Sequence, residues 1–133
     1  MNARAITGPR YLSSQGYISQ SNRGSGEIDL EPAESGKILL NKENKKTFNS
    51  IYYSSGPVFY PAFRDELSDF ITIAIFKTET WIYEYQQGEM IGKPAIIAAP
   101  YYKGKVVLIS PHLEMSEEYD DTLKKILWSL YSN

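Results

Sequence analysis

The 133 residues contain no cysteine and a single histidine. The first absence excludes disulfides and thiolate metal sites, and it leaves the redox compartment undetermined. Long apolar runs are missing as well. The longest spans about eight residues, whereas a membrane helix needs about 20, and the opening Met1 to Arg10 has no apolar stretch of signal-peptide length. Neither sign of charge dominates: 14 Lys and Arg stand against 16 Asp and Glu, a net charge of −2 with a pI near 5.4. That balance argues against nonspecific attraction to nucleic acid or anionic lipid. The absences together predict a soluble, cytoplasmic protein with no cofactor and with neither a nucleic-acid nor a membrane partner.

What is present suits one small globular domain. Apolar residues make up 42% and aromatics 14% of the chain, enough for a real core at this length. Residues 1–36 are rich in Ser, Gly, Gln and Asn, with Gly16, Gly24 and Gly26 as punctuation. They read as a polar, irregular N-terminal segment carrying at most short strands, such as Glu27 to Leu30. Residues 37–133 hold the domain proper. Strand-forming side chains recur at Lys37 to Asn41, Thr47 to Tyr53, Ile71 to Phe76 and Trp81 to Tyr85. The intervening Lys42 to Lys46 reads as a solvated tip, because acidic residues are interspersed and no basic stripe continues it. Near the end, Ser116 can cap a helix whose buried face would be Tyr119, Leu123, Ile126, Leu127 and Leu130, with Lys124 and Lys125 on the other side.

The strongest strand signal runs from Pro94 to Glu114. Two Ile- and Val-rich runs flank Lys103-Gly104-Lys105, which predicts a β-hairpin with Gly104 supplying a positive φ. Val106 to Ser110 is apolar at odd and even positions alike, so the pattern predicts a strand covered on both faces inside a sheet. Pro111 stops the pairing, and His112 and Glu114 follow two residues apart. In extended chain such residues project to one side, where the carboxylate could orient the imidazole.

Gly104-Lys105-Val106-Val107-Leu108-Ile109-Ser110-Pro111-His112-Leu113-Glu114 resembles the closing "G-K-G-x-V-V-L-x-x-P-H-P-E" segment of class I glutamine amidotransferase-like domains, in the branch related to the N-terminal domain of biotin-protein ligase. Upstream, Ile51-Tyr52-Tyr53-Ser54-Ser55-Gly56-Pro57-Val58-Phe59 is similar to that branch's "Y-Y-N-G-G-P-x-F" segment. The resemblance covers roughly residues 47 to 130, with a fainter echo of the segment after the nucleophile at Gly8 to Ser14. It implies the C-terminal part of a flavodoxin-like α/β domain, β-rich with one C-terminal helix. It also implies a Cys-His-Glu triad, in which His112 would shuttle the proton, Glu114 would hold it, and Gly56 and Pro57 would lie on the substrate side.

The departures weigh on that picture. Leu113 replaces the usual proline, Ser55 a usual glycine, and the cysteine is missing. The resemblance therefore implies a partial domain without independent catalysis, whose unpaired apolar edge invites self-association or an N-terminal amidotransferase-like half as partner. Other chemistry stays open at this point. His112 and Glu114 could bind a metal, although no third ligand stands at useful spacing. Ser54, Ser55 or Ser110 could serve as nucleophile, although none lies in a Gly-x-Ser-x-Gly elbow. Alternatively the 11 tyrosines, paired at Tyr52-Tyr53 and Tyr101-Tyr102, could form a binding surface for a protein or carbohydrate.

Overall fold

In β3 (Phe48–Ser54) the buried residues are Phe48, Ile51 and Tyr53, and the residues between them are exposed. From Ile51 onward that is the alternation of a strand with one face on a core and one in water, and before it the irregular Ser50, with a φ of +57°, puts two exposed residues between Phe48 and Ile51. A computed structural model describes residues 5–6, 23–36, 47–61 and 69–129. Its strands are β1 (Ala5–Ile6), β2 (Ser25–Pro32), β3, β4 (Tyr60–Pro61), β5 (Ile71–Phe76), β6 (Pro94–Tyr101) and β7 (Gly104–Ile109), and helix α1 (Asp120–Ser129) closes the described chain. Five strands form one sheet in the order β3-β2-β5-β6-β7, every pair antiparallel, and β1 pairs with β4 apart from it.

The sheet curls. Its register shifts between Ile28 and Leu30 and twice between Thr72 and Ile75, and such irregularities bend a strand and raise its twist. As a result the two ends of the sheet approach each other. The chain leaving β7 reaches β3, where the His112 N–H donates to the Tyr52 carbonyl at 2.8 Å and the Tyr119 hydroxyl donates to the Asn49 carbonyl. Inside the curl, Ile28, Leu30, Ile51, Tyr53, Phe76, Met90 and Ile96 pack with Leu113, Tyr119 and Ile126. The Phe48 and Tyr119 rings meet edge to face with centroids 5.9 Å apart.

Several expectations need correction. The short strand expected at Glu27 to Leu30 is longer than that, running from Ser25 to Pro32, and it lies within the sheet between β3 and β5. Trp81 to Tyr85 forms no strand. The Gln86 side-chain oxygen accepts from the N–H groups of Ile82 and Tyr83 at 2.9 and 3.0 Å, closing a 3₁₀ turn at Glu84–Gln86 and satisfying amides a ladder would otherwise need. The hairpin turns at Tyr102, whose φ is +51°, and the expected positive φ at Gly104 is not found. Among the described residues β7 is an edge strand with β6 as its one sheet neighbour, and Val106 to Ile109 are only half-buried. The alternating parallel strands of a complete flavodoxin-like domain are not seen among the described pairings.

At the C-terminus, Ser116 makes no capping bond through its side chain and precedes a 3₁₀ turn, Glu117–Tyr119, that leads into α1. Tyr119 and Ile126 are buried as the spacing predicts, Leu123 is half-buried and Leu127 is exposed. Residues 37–46, including the proposed strand and charged tip, lie outside the described residues, as do Leu130 and the Gly8 to Ser14 segment.

Candidate functional site

β7 delivers Ser110 and Pro111, both buried, to the point where the chain turns back toward β3. The backbone then tightens into a 3₁₀ turn, Leu113–Met115, with His112 at its N-cap. Leu113 is buried in the core, so this apolar side chain anchors the turn from below while its two polar neighbours stay outside. His112 Nδ1 lies 2.7 Å from Glu114 Oε1, with the two side chains 40% and 58% exposed. The expected contact is present, although a turned backbone makes it instead of an extended one. An ionised carboxylate only accepts, so Nδ1 carries the donated hydrogen and Nε2 remains the basic nitrogen of the neutral ring. The Tyr52 ring lies against the imidazole, with centroids 5.6 Å apart and planes 38° apart.

The small-residue turn after β3 packs beside this exit. A Cβ placed on Gly56 would stand 2.6 Å from both the carbonyl oxygen and Oγ of Ser110, so only glycine permits the approach. The Tyr53 hydroxyl donates to the Gly56 carbonyl at 2.6 Å, fixing the turn from its buried side. The two segments that carry the resemblance thus meet at one end of the sheet, through Gly56 and Ser110. Pro57 sits half-buried next to them. Ser55 adopts a φ of +51°, a region that favours the glycine the resemblance would place there. Its N–H donates to the Gly24 carbonyl at 2.9 Å, which ties it to the start of β2.

Arg23 is a part of this region that sequence reasoning missed. It is buried, and its Nη2 pairs with Glu89 Oε2 at 3.1 Å. Burial raises the Tyr53 hydroxyl's pKa, and the neighbouring Arg23 guanidinium opposes that shift. Arg23 Nε and Ser110 Oγ are buried without a hydrogen-bond partner among the described residues. Nothing in the local sequence marks Arg23, because its partner lies 66 residues away. No group of three His, Cys, Asp or Glu side chains suited to a metal comes together among the described residues, and no described helix is long and apolar enough to cross a membrane.

The Glu114 carboxyl titrates below the usual carboxylate range, first because His112 donates to it, with desolvation opposing. A carboxyl with a depressed folded-state pKa contributes stability above its ordinary range, and loses it as pH falls through the lowered value. At this exposure the effect on global stability is small. The local effect is measurable: in a carboxyl ¹³C NMR titration, His112→Ala should move the Glu114 midpoint up toward the ordinary range. An unchanged midpoint would mean that the hydrogen bond is not formed in solution.

A curled antiparallel sheet carrying a histidine–carboxylate pair at its rim, backed by a glycine turn, describes the class of site. The family follows from comparison: the model of the family described as biotin-protein ligase, N terminal, matches residues 6–127, and the chain belongs to that family. The match begins well upstream of Thr47 and so takes in β2 as well as the two motif segments. No curated protein and no solved structure matches the chain.

Proposed function

We propose that this chain carries the histidine and carboxylate of a class I glutamine amidotransferase-like Cys-His-Glu triad, and that the thiol comes from a second polypeptide. In this reading the antiparallel sheet corresponds to the later portion of a flavodoxin-like domain, and the chain alone is not a catalyst. The observation that carries it is the 2.7 Å contact between His112 Nδ1 and Glu114 Oε1, at a rim where Gly56 and Ser110 also meet. Glu114 holds the ring and Nε2 is the nitrogen that would take the thiol proton. The Gly56-Pro57 turn would border the substrate. Thiolate attack on the amide carbon forms a tetrahedral oxyanion. Its collapse breaks the C–N bond as the imidazolium returns the proton to the leaving nitrogen, and water then hydrolyses the thioester. A cytoplasmic setting suits the reading, because a catalytic thiol on the partner stays reduced there.

The test is reconstitution. Mixing this chain with a polypeptide bearing a Gly-x-Cys-x-Gly strand-to-helix elbow from the same family should give ammonia release from L-glutamine that neither component shows alone. Failure of a stable, stoichiometric complex to release ammonia would overturn the assignment. A second reading, a binding module, draws on one observation: Trp81, Ile82, Tyr83 and Tyr85 are all exposed, with the Tyr83 and Tyr85 rings stacked 2° from parallel. It would be favoured if the chain captured a glycan or protein that a Tyr83→Ala/Tyr85→Ala variant did not.

A further inference from the structure

The two edges of the sheet are finished differently. On β3 the outer edge is occupied by the returning C-terminal segment, through the His112 N–H on Tyr52 and the Tyr119 hydroxyl on Asn49. β3 also breaks regularity at Ser50, whose φ is +57°. Among the described residues no returning segment crosses β7 in this way. β7 is a regular six-residue strand, Gly104–Ile109, with no proline, no bulge in its pairing to β6, and one charged residue, Lys105, near its start. Edges of that kind template pairing with another strand unless something blocks them.

The phase of the β6–β7 ladder identifies which groups are presented. Antiparallel pairs alternate between residues that exchange both N–H···O bonds and residues that exchange none. The Ser110 N–H donates to the Ala95 carbonyl at 2.9 Å, so Leu108, Val106 and Gly104 are the residues of β7 bonded to Ile97, Ala99 and Tyr101. Pro100, which has no N–H, falls in the non-bonded class opposite Lys105, consistent with that phase. Lys105, Val107 and Ile109 therefore turn their backbone groups to the far side. Val107 and Ile109 have no backbone partner there among the described residues.

We infer that β7 pairs antiparallel with β7 of a second copy of this chain, about a two-fold axis at Val107. The second copy is the favoured occupant because the strand complements itself. Centred on Val107, the pairing lets each Val107 exchange both bonds with its counterpart. Lys105 falls opposite Ile109 of the second copy, so no like charges meet. Adding this strand extends an all-antiparallel sheet without altering its alternation, and shields the half-buried Val106 to Ile109. A six-residue ribbon alone falls short of the roughly 800 Å² per partner of a standard interface. The hairpin tip adds to it, because Tyr102, 91% exposed, lies just beyond the start of the ribbon. This inference does not rest on the triad reading.

Sedimentation equilibrium at tens of micromolar should give about twice the 15.2 kDa chain mass. Val107→Pro removes an N–H that β6 does not use, and should give a monomer that retains the wild-type far-UV circular dichroism. Because proline could disturb the hairpin itself, hydrogen exchange on the unmodified chain provides the second arm. The Val107 and Ile109 amides should exchange at least about tenfold more slowly at high than at low protein concentration, while the Val106 and Leu108 amides change little. A monomer at tens of micromolar, a dimer that survives Val107→Pro, or concentration-independent exchange at Val107 would each overturn the pairing.

Discussion

Gly56→Ala should lower the melting temperature of this chain by about 5–12 °C. The added methyl would sit 2.6 Å from the Ser110 carbonyl oxygen and 3.2 Å from Tyr53 Cε2. Neither can withdraw cheaply, since the carbonyl belongs to the backbone at the end of β7 and the ring is fully buried. Overpacking of this kind costs about 1–3 kcal/mol, and contact with rigid backbone puts it toward the upper part of that range. At about 3–5 °C per kcal/mol for a domain of this size, the stated shift follows. Gly104→Ala is the internal control. Its Cβ would meet one atom, the Tyr101 carbonyl oxygen at 3.7 Å, and its φ is not positive, so the melting temperature should move by no more than about 2 °C. Differential scanning calorimetry of both variants decides the matter. Equal, small shifts would mean that the turn after β3 does not pack on Ser110 and that the two motif segments are not neighbours.

That neighbourhood links fold to function, and it was only partly legible from the chain. Composition located β3 and β5 to within a residue, because Phe48, Ile51 and the tyrosines, or the Ile-rich run from Ile71 to Phe76, are β-favouring side chains. Periodicity failed where one side chain replaced a ladder. Trp81 to Tyr85 has strand-like composition, but Gln86 takes the amides that a neighbouring strand would have bonded. It failed again at Val106 to Ile109, where apolar residues on both faces signalled an interior strand. Among the described residues that strand lies at the sheet edge and these four side chains are half-buried.

The site shows a similar division. His112 and Glu114 were found as a pair because their spacing alone put them within reach, whether the backbone was extended or turned. Leu113, a departure from the resemblance at the sequence level, is what makes the turned form stable: it is buried while its neighbours are not. Arg23 and Glu89 could not have been paired by any local rule. Their contact depends on the path of β2 through the sheet, and burying an arginine without such a partner would be costly.

In the reconstituted complex, His112→Ala should reduce ammonia release by about 10³-fold or more, and Glu114→Gln by roughly 10–100-fold. The first figure follows from losing both the proton acceptor for the thiol and the donor to the leaving nitrogen, roles worth about 10²–10⁴ each in acyl-transfer sites. The second is set lower for a structural reason. In the serine-protease template a buried carboxylate changed to its amide costs about 10⁴, because the ring is held in the wrong tautomer. Here the Glu114 side chain is 58% exposed, so water can take over part of its role. Fold effects must be separated from chemical ones. Neither side chain belongs to the buried core, so both variants should melt within about 2 °C of the parent. Binding of L-glutamine, read as KM, should change less than kcat, because in the proposed triad the pair would act on the reacting atoms rather than on the substrate's distal groups. If His112→Ala left kcat intact in a well-folded complex, the base would have to be sought on the partner, and the short contact to Glu114 would be structural only. If Glu114→Gln instead cost as much as His112→Ala, assembly would have buried the carboxylate, and the rim at the end of β7 would be the surface that the partner covers.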